Sequence, residues 1–195
     1  MISTDRLYLR EWKKSDFPAF AELNADTEVM RFFPSELTTE ESDLLAQYLT
    51  DLITEEGWGL WAVELKSTGE FIGFIGLRHL DTDSGVPLTP LVEIGWRLAS
   101  QYWRRGYATE GAIAAMNYAF DVLRLDEVFA QVTVPNIPSQ RVMGRLGMYD
   151  YKHDFDHPKY PPDNLMKRHR LYRITKHEWH IHKRDNGLLL SLIHI

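Results

Sequence analysis

The densest chemistry in this sequence lies in QYWRRGYATEG, residues 101–111, where two arginines and a glycine run straight into a helical pattern. Arg104 and Arg105 offer charge-assisted donors, and Gly106 lets backbone come close to a ligand. From Ala108, the spacing of Ala112, Ala115, Met116, Ala119 and Leu123 predicts a helix with one apolar face. The first turn of such a helix has unpaired N–H groups at the positive end of its dipole. An apolar strand, LTPLVEIGWRL (88–98), precedes it, and this order favours a bound anion, above all a phosphate. Two common phosphate motifs, G-x-x-x-x-G-K-[ST] and G-x-G-x-x-G, are both missing. The plain alternative is an ordinary strand-to-helix connection with solvated arginines.

A second helix start stands at Asn136. Its amide suits the N-cap, Pro138 suits the first turn, and Val142, Met143 and Leu146 give the apolar face before Gly147 ends the helix. The histidines of HEWHIH (177–182) fall one residue short of the zinc spacing H-E-x-x-H and read as surface or terminal residues.

Further elements must position these two starts. Residues 2–12 alternate as a strand, and Asp16 with Pro18 begins a helix that stops near Asn24. Val29 to Phe33 reads as a short helix. Thr38 with Glu41 forms a capping box for a helix to about residue 55. Two apolar runs around Lys66–Glu70 predict a hairpin, and strands follow at 127–134, 148–155 and 168–175. The resulting class is α/β (α+β), with a mixed, mostly antiparallel sheet of about seven strands flanked by helices. Residues 1–182 read as one domain and 183–195 as a tail outside the pattern.

The 195 residues are 44% hydrophobic and 26% charged, which suits a globular domain with a sizeable core. A net charge of −6 with no basic face argues against nucleic acid as a partner. Without cysteine there is no disulfide, no thiolate metal site and no cysteine nucleophile. No apolar stretch reaches membrane-spanning length and the N-terminus has no signal-peptide pattern, so a cytoplasmic protein without a membrane partner is expected.

EIGW (93–96), WRRGYATEG (103–111) and N-x-P-S-x-R-x-x-x-x-L-G-M (136–148), in this order and spacing, resemble the GCN5-related N-acetyltransferases. The opening TDRLYLREW and the ending HRLYRITKHEW look most like the ribosomal-protein-alanine acetyltransferase branch. The family's turn carries Gln or Arg where Trp103 stands here, then Gly106 and Ala108; Trp in that place is similar to the branch's own version. By this resemblance the co-substrate is acetyl-coenzyme A, with no metal. Its pyrophosphate would sit on the N–H groups of Arg104, Arg105, Gly106, Tyr107, Ala108 and Thr109. Its pantetheine would lie along the strand carrying Ile94 and Trp96, facing Asn136 and Ser139, with Arg141 also on the cofactor side.

The resemblance implies direct attack of an amine on the thioester. The amine must be neutral, the carbonyl oxygen needs a donor, and the leaving thiolate benefits from a proton. Glu93 is the candidate base; it can equally act as a structural acceptor or orient the amine. Ser139 is the candidate acid, with Tyr149 or Tyr151 in competition. A backbone N–H near Gly95, freed by a bulge, is the expected oxyanion donor. His79 and His157 are candidate substrate contacts, though structural roles are the plainer reading, and Phe32, Phe33 and loop 153–164 stand where the family contacts its acceptor. The acceptor would be a protein N-terminus or a small-molecule amine. The acidic balance mildly favours cationic amines by steering. A homodimer is a further expectation of the family. A non-catalytic acyl-coenzyme A sensor on the same fold, or a phosphoanion-binding module, stays open at this point.

Overall fold

The structure is a computed structural model and describes residues 1–187. One mixed sheet runs β1 (Ile2–Ser3), β2 (Leu7–Arg10), β3 (Leu60–Leu65), β4 (Phe71–Leu80), β5 (Leu91–Leu98), β6 (Glu127–Thr133), β9 (Arg168–Thr175) and β7 (Tyr149–Asp150), with β8 (Phe155–Asp156) also on β9. All pairings are antiparallel except β5 with β6. The expected mixed, mostly antiparallel sheet is present. It is 9-stranded rather than about seven because the first expected strand folds into the β1–β2 hairpin and 148–155 divides into β7 and β8.

Among the described residues six α-helices flank the sheet: α1 (Phe17–Ala25), α2 (Thr27–Met30), α3 (Thr39–Glu56), α4 (Tyr107–Asn117), α5 (Ile137–Arg145) and α6 (Lys176–Asp185). Three starts are as the sequence predicts. Thr38 and Glu41 form their capping box, Asn136 accepts from Ser139 N–H, and Gly106 precedes α4 with φ 84°. Asp16 does not cap α1; Arg10 and the Lys13 N–H occupy its carboxylate instead.

The alternation of β5 sets the two faces of the site. Val92, Ile94 and Trp96 face α4, where Gly111 lies so close to Ile75 that a Cβ would meet Ile75 Cδ1 at 2.4 Å. Leu91, Glu93, Gly95 and Arg97 face the other way, toward Phe74 and the α1 side. The ordered fold passes the expected boundary at residue 182. Thr175 and Glu178 cap α6, Trp179 is fully buried, and Lys183 is buried against Asn117 and Asp121. Residues 183–187 thus belong to the fold, while the tail expectation for 188–195 lies outside the described residues.

Candidate active site

Among the described residues β5 and β6 are the only parallel neighbours, and a single pair, Glu93 with Phe129, links them. Beyond that pair no ladder joins Ile94–Leu98 to β6, so the strands splay open toward their C-terminal ends. A crevice at the C-terminal ends of parallel strands is the usual place for a ligand in a mixed sheet. The expected bulge at Gly95 is absent, because the β4–β5 register runs unbroken from Gly73–Leu98 to Leu80–Leu91. The splay itself frees the β6-facing backbone edge that the bulge was invoked to free. The irregularity lies elsewhere, at Val63/Glu64 against β4.

One arm of the crevice leads into the arginine–glycine turn. A 3-10 turn (Ser100–Tyr102) ends at Trp103, Arg104 has φ 61° and Gly106 has φ 84°. Both residues occupy the left-handed region that favours glycine, and Gly106 then opens α4 without a side-chain cap. The backbone N–H groups from Arg104 to Thr109 have no hydrogen-bond partner among the described residues; Glu110 N–H is the first to be satisfied, by Gly106 C=O at 3.0 Å. Arg6 braces the turn, donating to Arg105 C=O at 2.9 Å and to Glu110 at 2.6 Å. The arginine side chains at 104 and 105 are exposed. Trp103 turns its indole inward and donates to Leu98 C=O at 2.7 Å, so its ring secures the strand end. Ile94 is buried and Trp96 partly buried on the α4 face, which leaves their backbone for the crevice.

The other arm ends at α5. Asn136 Oδ1 accepts from Ser139 N–H at 3.2 Å, and Ser139 Oγ has no partner among the described residues. Arg141 is exposed on α5. Tyr149 stands apart: its row runs Glu93–Phe129–Arg173–Tyr149 across three strand spacings, roughly 14 Å from β5. It is exposed, accepts from Arg173 at 3.0 Å, and lies tilted against Tyr151, which leans on Phe129.

Glu93 sits at the apex, buried and held from both sides. Arg78 Nε donates to Oε1 at 2.6 Å and Gln131 Nε2 donates to Oε2 at 2.9 Å. A carboxylate can accept about four hydrogen bonds, so it keeps capacity for a third donor. His79 projects from the α4 face toward Trp58 and is exposed there, opposite Glu93.

Four groups beside Glu93 or on its face of the sheet escaped the sequence reading or were underweighted by it. His169 lies on β9 in contact with His157 and Tyr160. Its Nδ1 meets Lys167 C=O at 2.9 Å, and a carbonyl only accepts, so the neutral ring keeps its lone pair on Nε2. Burial lowers its pKa despite that bond and the nearby Glu93 charge. His157 is pushed down to about 4 by burial, with the charges of His169, Lys159 and Arg78 adding to it. Tyr160, pushed up to about 12 by burial, donates to Phe32 C=O at 2.8 Å and joins the C-terminal loop to the α2 end. Arg97 completes the group, donating to Asn24 Oδ1 at 2.6 Å under the ring of Phe33. Phe32 and Phe33 thus meet Tyr160 and Arg97 on the Glu93 face of the sheet.

Residues 6–149 match the family model described as "Acetyltransferase (GNAT) domain". The chain is 31% identical over 162 residues to the FsC-acetyl coenzyme A-N(2)-transacetylase of Aspergillus fumigatus, covering 80% of this chain and 68% of that protein. It is 30% identical over 178 residues to the uncharacterized N-acetyltransferase YnaD of Bacillus subtilis, covering 91% and 98%. An acetyltransferase of the GNAT family from Bacillus anthracis superposes with a TM-score of 0.74 at 25% identity, over 90% and 98% of the two chains. The RimJ structure from Mycobacterium smegmatis, with a TM-score of 0.70 at 20% identity, shares the fold and does not single out that branch. Among the described residues no cluster of side chains could hold a metal ion, and no helix is long and apolar enough to cross a membrane. The chain belongs to the GNAT acetyltransferase family and is an acetyltransferase.

Proposed function

We propose that this enzyme moves the acetyl group of acetyl-coenzyme A directly to a primary amine, both substrates being bound together in the β5–β6 crevice. The observation that carries the reading is the convergence of a partner-free N–H run (Arg104–Thr109), a free Ser139 hydroxyl and a buried carboxylate, Glu93, around one splayed parallel pair. The donor set fits the co-substrate. Successive N–H groups at a helix start suit a pyrophosphate, and Arg104 and Arg105 are free to add charge. Asn136 and Ser139 flank the path of the pantetheine arm. Arg141 stands on the same side.

Acetyl transfer to an amine then asks three things of this chain. Glu93, ion-paired with Arg78, accepts a hydrogen bond from the amine and draws off its proton, directly or through water. A backbone N–H on the unpaired edge near Gly95 donates to the carbonyl oxygen as it gains charge. Ser139 Oγ donates toward the leaving thiolate. The neutral His169 is a second group able to take a proton beside Glu93. A His169→Gln variant separates the two: loss of rate there, with Glu93→Gln unaffected, assigns the base to the histidine.

Acetyl-coenzyme A is expected to raise the melting temperature, whereas ATP is not, and free thiol is expected to appear on adding an accepted amine. Gly106→Val places a β-branched residue at φ 84° and is expected to weaken coenzyme affinity roughly ten- to hundredfold. Unchanged affinity in that variant, measured by calorimetry, contradicts the assignment of the turn.

A further inference from the structure

Arg97 is surrounded in a way that the acetyl-transfer reading does not require. Its side chain shares the Glu93 face of β5, two pleats further toward the open end, roughly 13 Å along the strand. Nη1 donates to Asn24 Oδ1 at 2.6 Å. The guanidinium lies under Phe33 at 4.1 Å and near Phe74 at 5.4 Å. Its Nε is sealed from solvent and has no partner among the described residues, and no carboxylate pairs with it there. As a whole residue Arg97 is only partly buried, so one side of it stays open. The nearby groups leave its charge unanswered. Arg78 is spent on Glu93, Asn24 is neutral, and Tyr160 and the two histidines are uncharged near neutral pH.

A second orphan lies across the crevice. Gln131 Nε2 donates to Glu93, and flipping the amide would set its oxygen against the carboxylate, so the amide orientation is fixed. Gln131 Oε1 is then left buried without a donor. The Glu93 face therefore holds one buried acceptor near the proposed reaction point and one cationic donor further out. A buried cation without a counterion is costly, as is a buried polar atom without a partner. An anionic oxygen brought to the open side of the Arg97 guanidinium answers its charge, while Arg97 Nε and Gln131 Oε1 themselves stay sealed.

We propose that Arg97 selects an acceptor that carries a carboxylate on the same small molecule as its amine, an amino acid rather than a polyamine or a peptide N-terminus. Arg97 offers several N–H donors in a planar fork that matches a carboxylate. The whole-chain charge of −6 favours a cationic acceptor, but the local field at the acceptor end is positive and acts at contact distance. The inference rests on the acetyl-transfer reading and adds the acceptor class to it.

The test compares free α- and ω-amino acids with their carboxamides, and with spermidine, by thiol release at saturating acetyl-coenzyme A. The expected kcat/KM for the acid exceeds that for its amide at least about tenfold, and the better of the α and ω series reports the spacing from Glu93 to Arg97. Arg97→Gln is expected to erase that preference through KM, with kcat for the amide unchanged, and Arg97→Lys to restore part of it. A purely structural role for Arg97 would instead lower stability and slow acid and amide alike. Equal rates for acid and amide in the wild type, or a preference for spermidine, overturn the inference while leaving the acetyltransferase reading intact. If no acceptor releases thiol, calorimetry of N-acetyl amino acids against the coenzyme A-loaded protein takes over. Binding weakened at least tenfold in Arg97→Gln then supports the inference, and no binding, or equal binding to both proteins, overturns it. Failure of the protein to bind coenzyme A at all removes the acetyl-transfer reading instead.

Discussion

Arg10 and Arg97 are both arginines held inside the fold, and they are answered in opposite ways. Arg10, on β2, gives Nη1 and Nη2 to Asp16 at 2.7 and 2.9 Å and Nε to Glu64 at 2.6 Å. Burial opposes its charge, yet those hydrogen bonds and the two carboxylates outweigh burial, and its pKa is raised. Arg97 has an amide, two aromatic rings and a neighbouring arginine. Burial leads, Arg78 adds to it, and its pKa is pushed down to about 10, with Tyr160 opposing weakly. The first arginine is complete within the chain and ties β2, β3 and the start of α1 together. The second is complete only when something else arrives. Structural charge and functional charge are told apart here by whether the counterion is already present.

The comparison can be broken in three places, in order of expected effect. Asp16→Ala leaves Arg10 short of a buried partner and is expected to cost about 3–5 kcal/mol, a fall in Tm on the order of 10 °C. A fall below about 1 kcal/mol in denaturant titration would mean that the Arg10 cluster is no more structural than Arg97. Next comes pH. His157 titrates at about 4 when folded and near 6.5 when unfolded, so the unfolded chain takes up the proton first. Stability is therefore full above pH 6.5 and declines from there to about 4, by at most about 3 kcal/mol. His157→Phe is expected to flatten that decline. At the Arg10 edge burial pushes the Glu64 pKa up, but the hydrogen bonds from Arg10 and Lys13 prevail and hold it below 4.5, so stability from that pair is lost only at lower pH. The smallest effect is that of Arg97→Met, which removes an unanswered charge but leaves the buried Asn24 Oδ1 without its donor, and is expected to cost about 1–2 kcal/mol. A loss like that of Asp16→Ala would make Arg97 a structural residue.

The sequence carried the turn and the helix starts well because those signals are local. Gly106, Asn136 with Pro138, and the Thr38–Glu41 box each act within one helical turn, and each stands where its spacing predicted. Even α6 was locally marked by Thr175 and Glu178, a capping box masked by the attention that HEWHIH draws as a metal motif. Asp16 misled because a capping side chain and an ion-pair partner look alike until Arg10 comes within reach across the chain. Arg97 was invisible for a related reason. On the strand it is one more alternating residue, and the lack of a carboxylate is a property of Asn24, Phe33, Phe74 and Tyr160 taken together, which only tertiary packing assembles. The splay at Glu93–Phe129 is likewise a matter of how far two distant strands stay paired.

The most direct test of the account is a pair of measurements on Glu93→Gln: kcat at saturating acetyl-coenzyme A and amine, and Kd for the coenzyme. The variant keeps the shape of the apex while removing the charge that Arg78 and Gln131 hold in place. The account predicts that kcat falls roughly 10²- to 10⁴-fold while Kd stays within about twofold. An unchanged kcat would contradict the assignment of Glu93 as the base at the apex of the β5–β6 crevice.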